Sequence, residues 1–292
     1  MITVPWFDAA LAGVVGLLVG SFLNVVIYRL PKMMERKWAT ECAEYAGMNA
    51  DQASPPPSAE ADVFNLARPR SRCQACGHQL RWYENIPVLS YLFLRGRCSS
   101  CGVSISIRYP LVELTTAALF FFCVQKWGAT VTGLAWCGFA ALLVSLAFID
   151  WDTTLLPDDL TLPLLWAGLL ASALQWIAVP LYSSVVGAAA GYLSIWLVCW
   201  GCQLVTGKEG MGYGDFKLFA ALGAWFGWQA LVPLILMASV VGAIVGIAMK
   251  FSHQLREGGY VPFGPFLVGA GLLAMMLGPD TVLKTLLGSL GL

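Results

Sequence analysis

Two aspartates at the edges of hydrophobic segments are the residues with the most distinctive chemistry. Asp150 follows the apolar run that ends at Ile149, and Asp215 follows Gly214 and precedes a further apolar run. Ionisable groups at membrane depth are costly, so such residues are candidates for function. Two carboxylates brought to one face share a proton, because like charges a few ångströms apart cannot both ionise easily. The pattern therefore predicts an aspartic-protease-like pair that activates water.

Neighbouring residues suit such a pair. Gly212 and Gly214 permit tight backbone turns and close approach of a substrate, and Lys217 is placed to influence the local charge. Asp158 and Asp159 precede an apolar helix, so their simplest role is to cap it. We therefore assign the two glycines and the lysine as supporting residues of the site.

Four of the nine cysteines form two Cys-x-x-Cys pairs in a polar part of the chain, Cys73 with Cys76 and Cys98 with Cys101. Two such knuckles supply four thiolates, which suit tetrahedral Zn²⁺. Disulfides are disfavoured in the cytoplasm, where the topology below places these residues. Neither pair is surrounded by the βαβ pattern of a redox motif. The spacing predicts a structural zinc site that folds this module.

The composition indicates what kind of protein positions these groups. The chain has 292 residues, of which 58% are hydrophobic and 12% charged, and its mean hydropathy is +0.72. A soluble domain carries roughly 25% charged residues, so we expect a polytopic membrane protein that contacts lipid. The net charge is zero, which gives no bulk basicity for binding nucleic acid.

Apolar runs predict about eight transmembrane helices. Residues 9–28 are long enough to cross a hydrocarbon core of about 30 Å. No Lys or Arg precedes this run, whereas a cleaved signal peptide carries its positive charge first. The other predicted spans are 111–127, 131–149, 160–178, 183–205, 216–228, 230–250 and 262–288.

Three domains follow from these runs: residues 1–30 as the first transmembrane helix, 31–109 as a cytoplasmic loop and 110–292 as a seven-helix membrane core. Within the loop, 39–66 is acidic and proline-rich, and we interpret it as a flexible insert with too little apolar surface to fold alone. Residues 68–108 are basic and carry the paired cysteines. The predicted fold is an all-α polytopic membrane protein with a small cytoplasmic zinc-ribbon-like module between helices 1 and 2.

The distribution of charge orients this topology. With the N-terminus outside, eight crossings put fifteen of the seventeen basic residues on or beside cytoplasmic loops, as the positive-inside rule requires. Only Lys126 and Lys284 fall elsewhere. The same topology puts Asp150 and Asp215 at the cytoplasmic ends of their helices. Both carboxylates are therefore expected on one side of the membrane.

Five segments carry distinctive motifs, in order and over nearly the full length. The segments are Gly20-Ser21-Phe22-Leu23-Asn24-Val25-Val26-Ile27-Tyr28-Arg29-Leu30-Pro31, Trp82-Tyr83-Glu84-Asn85-Ile86-Pro87, Ile107-Arg108-Tyr109-Pro110-Leu111-Val112-Glu113, Ile149-Asp150 with Leu156-Pro157-Asp158, and Gly212-Tyr213-Gly214-Asp215-Phe216-Lys217. Together they resemble the type IV prepilin peptidases. The resemblance implies a GxGD-type membrane aspartyl protease of the bacterial inner membrane, with a periplasmic N-terminus. Asp150 and Asp215 become its catalytic pair.

The resemblance also implies substrates and a second activity. The expected substrates are type IV prepilins and type II secretion pseudopilins, which lose a basic leader after a glycine at the cytoplasmic face. The four-cysteine form of the family typically methylates the new N-terminal residue, usually Phe, with S-adenosylmethionine. Gly96 and Glu113 are candidate residues for this methyl transfer and for binding its cofactor. Ser21 and Asn24 are further polar groups, whose simplest role is hydrogen bonding between helices.

The residues alone leave two other classes of function open. A transporter or channel would use the two aspartates as a proton or cation site, although carrier acids usually lie near mid-bilayer within repeats. A membrane adaptor would use its zinc module only to bind a partner. A protease would instead dock the basic leader of its substrate, and the acidic loop 150–159 is the better candidate for that contact. Loss of peptide cleavage on removing either aspartate would separate the protease from both alternatives.

Overall fold

The computed structural model describes residues 6–45, 64–207, 211–252 and 261–281, together with Lys284 and Gly288. Within these residues the chain is helical, and its only β-pairing is two isolated bridges. The α-helices are α1 (Trp6–Tyr45), α2 (Leu89–Phe93), α3 (Arg108–Trp127), α4 (Val131–Thr153), α5 (Asp158–Ala173), α6 (Leu181–Thr206), α7 (Tyr213–Phe226), α8 (Leu231–Phe251) and α9 (Gly264–Leu277). The predicted all-α class is confirmed.

Four segments are long and apolar enough to cross a membrane, among the residues that the structure describes. They are α1, α4, α6 and Trp228–Phe251, which contains α8. Helices α5, α7 and α9 have 16, 14 and 14 residues. At 1.5 Å per residue these lengths are about 21–24 Å, less than a hydrocarbon core of about 30 Å. The long helices establish a membrane protein, and the shorter ones are not long enough to add crossings by length alone.

The first helix continues past the predicted boundary at residue 30. It includes Pro31 and ends at Tyr45, so it covers the first part of the segment 39–66 that we expected to be a flexible insert. Residues 32–45 contain no Gly or Pro and are rich in helix-favouring Met, Glu, Lys and Ala. Lys37 and Glu41 add an i,i+4 ion pair. The remainder of the predicted insert, 46–63, lies outside the described residues.

The chain divides into two compact units, the first formed by Ala9–Phe122. In this unit α1 packs closely on α3 through glycines. A methyl group added at Gly16 would fall 2.7 Å from Ala117 Cα, and one added at Gly20 would fall 2.7 Å from Glu113 Cα. Small residues let helix backbones approach in this way. Gly16 and Gly20 therefore serve the close packing of α1 on α3.

The second unit consists mainly of Cys123–Leu292 and contains both aspartates. Helix α7 is buried along most of its length and packs on α5 and α6. Gly187 of α6 and Gly223 of α7 touch backbone to backbone, and the Ser184 hydroxyl donates to Ala224 O at 2.6 Å. The Trp225 indole N–H donates to Leu164 O of α5 at 2.9 Å. These contacts fix α7 firmly against its two neighbours.

Candidate active site

Asp150 lies in the last turn of α4 and is only 4% exposed. Its carbonyl oxygen accepts the amide of Thr154, which has a left-handed φ of 56° and ends the helix. The chain then turns sharply toward Pro157, which directly precedes α5. A carboxylate is therefore held at a helix end inside the protein, where a charged group needs a specific reason to be buried.

Asp215 lies in the first turn of α7, one residue before the predicted span 216–228. Its amide donates to Gly212 O at 3.2 Å. One carboxylate oxygen, Oδ1, is buried. It has no hydrogen-bond partner among the described residues, which do not include 208–210. A buried carboxylate oxygen in this position is available to a substrate or to water.

The two aspartates are close enough to interact electrostatically. Burial, and then the charge of Asp150, raise the pKa of Asp215 to about 7. Desolvation and a nearby like charge both disfavour the ionised carboxylate. The structure thus brings together the two residues that the sequence predicted as a pair, and the raised pKa favours a shared proton up to about pH 7.

Leu156 connects the surroundings of the two carboxylates. A methyl group added at Gly214 would fall 2.6 Å from Leu156 Cβ, so only glycine allows the turn before Asp215 to pack on this leucine. The same leucine contacts the start of α9 at Gly264. Gly214 is therefore needed for close packing on Leu156, while a methyl group added at Gly212 would meet nothing within 4 Å among the described residues. Close approach of a substrate to these glycines stays a prediction.

Lys217 forms an ion pair with Asp158. Its ammonium group donates to both carboxylate oxygens, at 2.6 and 2.7 Å. Asp158 and Asp159 occupy the first turn of α5, where the helix dipole stabilises negative charge. No side chain caps this helix by a hydrogen bond at Pro157, so the predicted capping role of Asp158 is replaced by the ion pair. The ion pair of Lys217 with Asp158 joins the start of α5 to the first turn of α7, just after Asp215.

The four paired cysteines form a second cluster, in the unit Ala9–Phe122. Their sulfur atoms all lie within 4.8 Å of one another. Cys73 Sγ and Cys101 Sγ are 3.9 Å apart, and Cys76 Sγ and Cys98 Sγ are 4.0 Å apart. A tetrahedral zinc with Zn–S bonds of about 2.3 Å requires sulfurs about 3.8 Å apart. The four thiols therefore match the geometry of a metal ion.

Both cysteine knuckles have the same backbone design. The glycine after the second cysteine, Gly77 or Gly102, has φ of 72° or 71° and donates its amide to the carbonyl of the first cysteine. The amides of Cys76 and Ala75 lower the pKa of Cys73 to about 6, which favours the thiolate form that binds metal. Donor set, spacing and backbone all suit a structural metal site.

Glu113, predicted to act in methyl transfer, links helices instead of facing open space. Its carboxylate accepts the amide of Val88 at 2.7 Å and a hydrogen bond from the Ser21 hydroxyl. Asn24 donates to Tyr109 O at 3.1 Å, from α1 to α3. The interhelical role expected of Ser21 and Asn24 is confirmed. A role for Glu113 in methyl transfer stays a prediction.

Gly96, the other candidate for methyl transfer, lies between α2 and the second knuckle. Its φ is 66°, and its amide donates to Tyr91 O while its carbonyl accepts the amide of Ile105. An added methyl group would fall 2.9 Å from the Tyr91 hydroxyl. These contacts explain why glycine is required here, and a role in binding cofactor stays a prediction.

Two contacts at the aspartate site were not predicted from the sequence: the ion pair of Lys217 with Asp158, and Gly264 against Asp150. The second had a visible signal, because Pro262 and Pro265 surround that glycine directly before an apolar run. Such clusters mark turns of defined geometry. Nothing in the spacing indicated which residue the turn would contact.

Sequence models of two families match the chain. Residues 14–127 match the bacterial peptidase A24 N-terminal domain, and residues 137–247 match the type IV leader peptidase family. The second match contains both aspartates, and the first contains the four paired cysteines. The two matches therefore cover the two candidate sites separately.

Curated relatives resemble the chain over nearly its full length. A prepilin leader peptidase/N-methyltransferase of Pseudomonas putida is 49% identical over 276 residues, which cover 94% of this chain and 93% of the relative. Proteins of the same name from Aeromonas salmonicida and Pseudomonas aeruginosa are 48% and 49% identical, over 98% and 93% of this chain and 96% and 91% of the relatives. No solved structure matches significantly. On this similarity, the chain belongs to the type IV leader peptidase family.

Proposed function

We propose that this protein removes the leader peptide of type IV prepilins and of type II secretion pseudopilins, and then methylates the new N-terminal residue. The observation that carries the proposal is the buried pair of Asp150 and Asp215, drawn from two helices of one compact unit. The relatives are named for both activities. A transporter or adaptor would not account for those names.

The pair has the properties needed to hydrolyse a peptide bond. One ionised carboxylate takes a proton from a water molecule, whose oxygen attacks the scissile carbonyl carbon. The other, protonated carboxyl donates a hydrogen bond to the carbonyl oxygen and stabilises the negative charge that develops there. The proton is then passed to the leaving amide nitrogen as the C–N bond breaks. The raised pKa of Asp215 near neutral pH supports the required state with one shared proton.

We further propose the eight-crossing topology, with a periplasmic N-terminus and the site at the cytoplasmic face of the bacterial inner membrane. The distribution of basic residues supports it. In this topology the acidic loop 150–159 is on the side of the substrate's basic leader. Asp152 and Asp159 are exposed in that loop, where their negative charge would attract the leader, whereas Asp158 is engaged by Lys217.

The methyl donor and the metal have separate roles in this proposal. S-adenosylmethionine would supply the methyl group that the new terminal amine receives. Gly96 and Glu113 remain the proposed residues for that step, although the contacts described above are structural. Zn²⁺ would be held by Cys73, Cys76, Cys98 and Cys101, and the sulfur distances support this.

Intact-mass analysis of a purified prepilin tests the proposal. Incubation with the full-length protein and S-adenosylmethionine is expected to remove the leader and to add one methyl group, about 14 Da, to the mature product. Omission of S-adenosylmethionine should leave cleavage unchanged and remove only the methyl group. An uncleaved substrate, with a working control enzyme, would favour the transporter or adaptor instead.

The rate of cleavage should depend on pH through Asp215. Its pKa of about 7 means that the shared proton is present below neutral pH and is lost as the pH rises. We expect kcat to fall roughly tenfold for each pH unit above about 7, because the proton-donating member of the pair disappears. Because the two groups are coupled, the measured value will belong to the pair.

A matched assay separates this effect from general damage at high pH. Methyl transfer to a substrate whose leader has already been removed does not use the aspartate pair. Its rate should therefore not follow the alkaline fall in kcat for cleavage. A cleavage rate that is constant between pH 6 and pH 9 would contradict the assignment of the shared proton.

A further inference from the structure

Gly264 is the first residue of α9 and lies directly against the carboxylate of Asp150. A methyl group added at Gly264 would fall 2.5 Å from Asp150 Oδ2 and 3.1 Å from Cγ. Real Cβ atoms essentially never approach another heavy atom within 3.0 Å. An alanine at position 264 is therefore accommodated only if either the Asp150 carboxylate or the backbone of α9 moves.

Backbone conformation does not explain this glycine. Gly264 is absent from the residues with positive φ in the described part of the chain, so any L-residue could adopt its backbone. Other glycines of the protein, such as Gly96 and Gly227, do have positive φ and are explained by it. At Gly264 the closest obstacle to a side chain is the carboxylate, and Leu156 Cδ1 lies beside it, 3.2 Å from the added methyl group.

The start of α9 cannot readily move away from Asp150. The amides of Phe266 and Leu267 both donate to Phe263 O, at 3.0 and 3.2 Å, and close the first turn. Pro265 restricts the backbone within that turn. Beyond this first turn, many side chains of α9 are buried within the unit. An added methyl group would therefore displace the carboxylate of Asp150, which rotates more easily than the helix shifts.

We propose that Gly264 is a positioning residue for leader cleavage, because its missing side chain leaves the space in which the Asp150 carboxylate faces Asp215. This inference rests on the proposed catalytic pair. Misplacing a reacting group by about 1 Å can lower a rate by roughly 100-fold. Gly264 does not contact the substrate in this proposal, so its effect is on kcat and leaves KM nearly unchanged.

The test compares two alanine substitutions on the same helix. Gly264→Ala is expected to lower kcat for cleavage by roughly 100-fold, with KM within about threefold of wild type. Gly269→Ala is the matched control, because an added methyl group there meets nothing within 4 Å. It should cleave at the wild-type rate. Methyl transfer to an already cleaved substrate should be unchanged in both variants. A Gly264→Ala protein with wild-type kcat would overturn the proposal.

A second comparison tests the contact between position 264 and Asp150 even if Gly264→Ala folds poorly. Asp150→Ala removes the two atoms that lie closest to the new methyl group, Oδ2 and Cγ. Gly264→Ala should therefore lower the Tm of the wild-type protein and leave the Tm of the Asp150→Ala protein nearly unchanged. An equal loss of Tm in both backgrounds would overturn the proposal. Cleavage that persists in Asp150→Asn would instead refute the catalytic pair, whatever Gly264→Ala does.

Discussion

Asp150→Asn and Asp215→Asn should each lower the rate of leader cleavage by about 1,000-fold or more. Asparagine keeps the size of the side chain but can neither accept a proton from water nor share one with its partner. General acid–base catalysis alone contributes roughly 100- to 10,000-fold, and both carboxyl groups are needed for it. The measurement is the initial rate of leader release, followed by intact-mass analysis at saturating substrate.

The double substitution gives the sharper result. Because the two carboxyl groups act as a unit, Asp150→Asn/Asp215→Asn should be no slower than either single variant, within about threefold. Asp280→Asn is the matched control, since Asp280 is an exposed carboxylate that follows α9, outside the acidic loop 150–159. It should retain catalysis. Single variants that each lose only tenfold, with losses that multiply, would indicate two independent roles and not a pair.

Removing one zinc ligand should unfold the cysteine module. Residues 64–107 contain one short α-helix, one turn of 3₁₀ helix and two isolated bridges, and most of their side chains are exposed or half-buried. Such a segment has too little core to fold alone, and structural zinc typically supplies about 10–16 kcal/mol in small peptides. Cys76→Ser should therefore abolish zinc binding and cause loss of protection from hydrogen exchange across the module.

Metal analysis and hydrogen exchange check this expectation together. The wild-type protein should contain one zinc per chain, and Cys76→Ser should contain none. Cys42→Ser is the matched control, because Cys42 is an exposed thiol on α1 that lies outside the cluster. Its zinc content and exchange should equal those of the wild type. A zinc-free wild-type protein with a protected module would falsify the assignment.

Local patterns in the sequence were sufficient to identify the four cysteines that cluster and the two aspartates that interact. Each Cys-x-x-Cys-Gly segment encodes a turn within five residues, so spacing alone identified the knuckles that the structure forms. Asp150 and Asp215 were found because a carboxylate beside an apolar run is conspicuous. Both features depend on neighbours in sequence, and both are reproduced in the structure.

Contacts between distant residues could not be predicted in this way. Asp158 and Lys217 are 59 positions apart, and only the packing of α5 on α7 brings their charges together. The contact of Gly264 with Asp150 likewise depends on α9 packing against α4. Helix ends also departed from prediction. Helix α5 ends at Ala173, and Gln175 follows it with a φ of 58°, whereas the predicted span continued to residue 178.

The two aspartates belong to different groups of helices. Asp150 lies on α4, which packs mainly on α9, and α9 packs in turn on α8. Asp215 lies on α7, which packs mainly on α5 and α6. The distance between the carboxylates is thus set by how α4 and α9 pack against α5 and α7. We therefore expect a substitution that shifts this packing by about 1 Å to lower the rate of proteolysis without touching either aspartate.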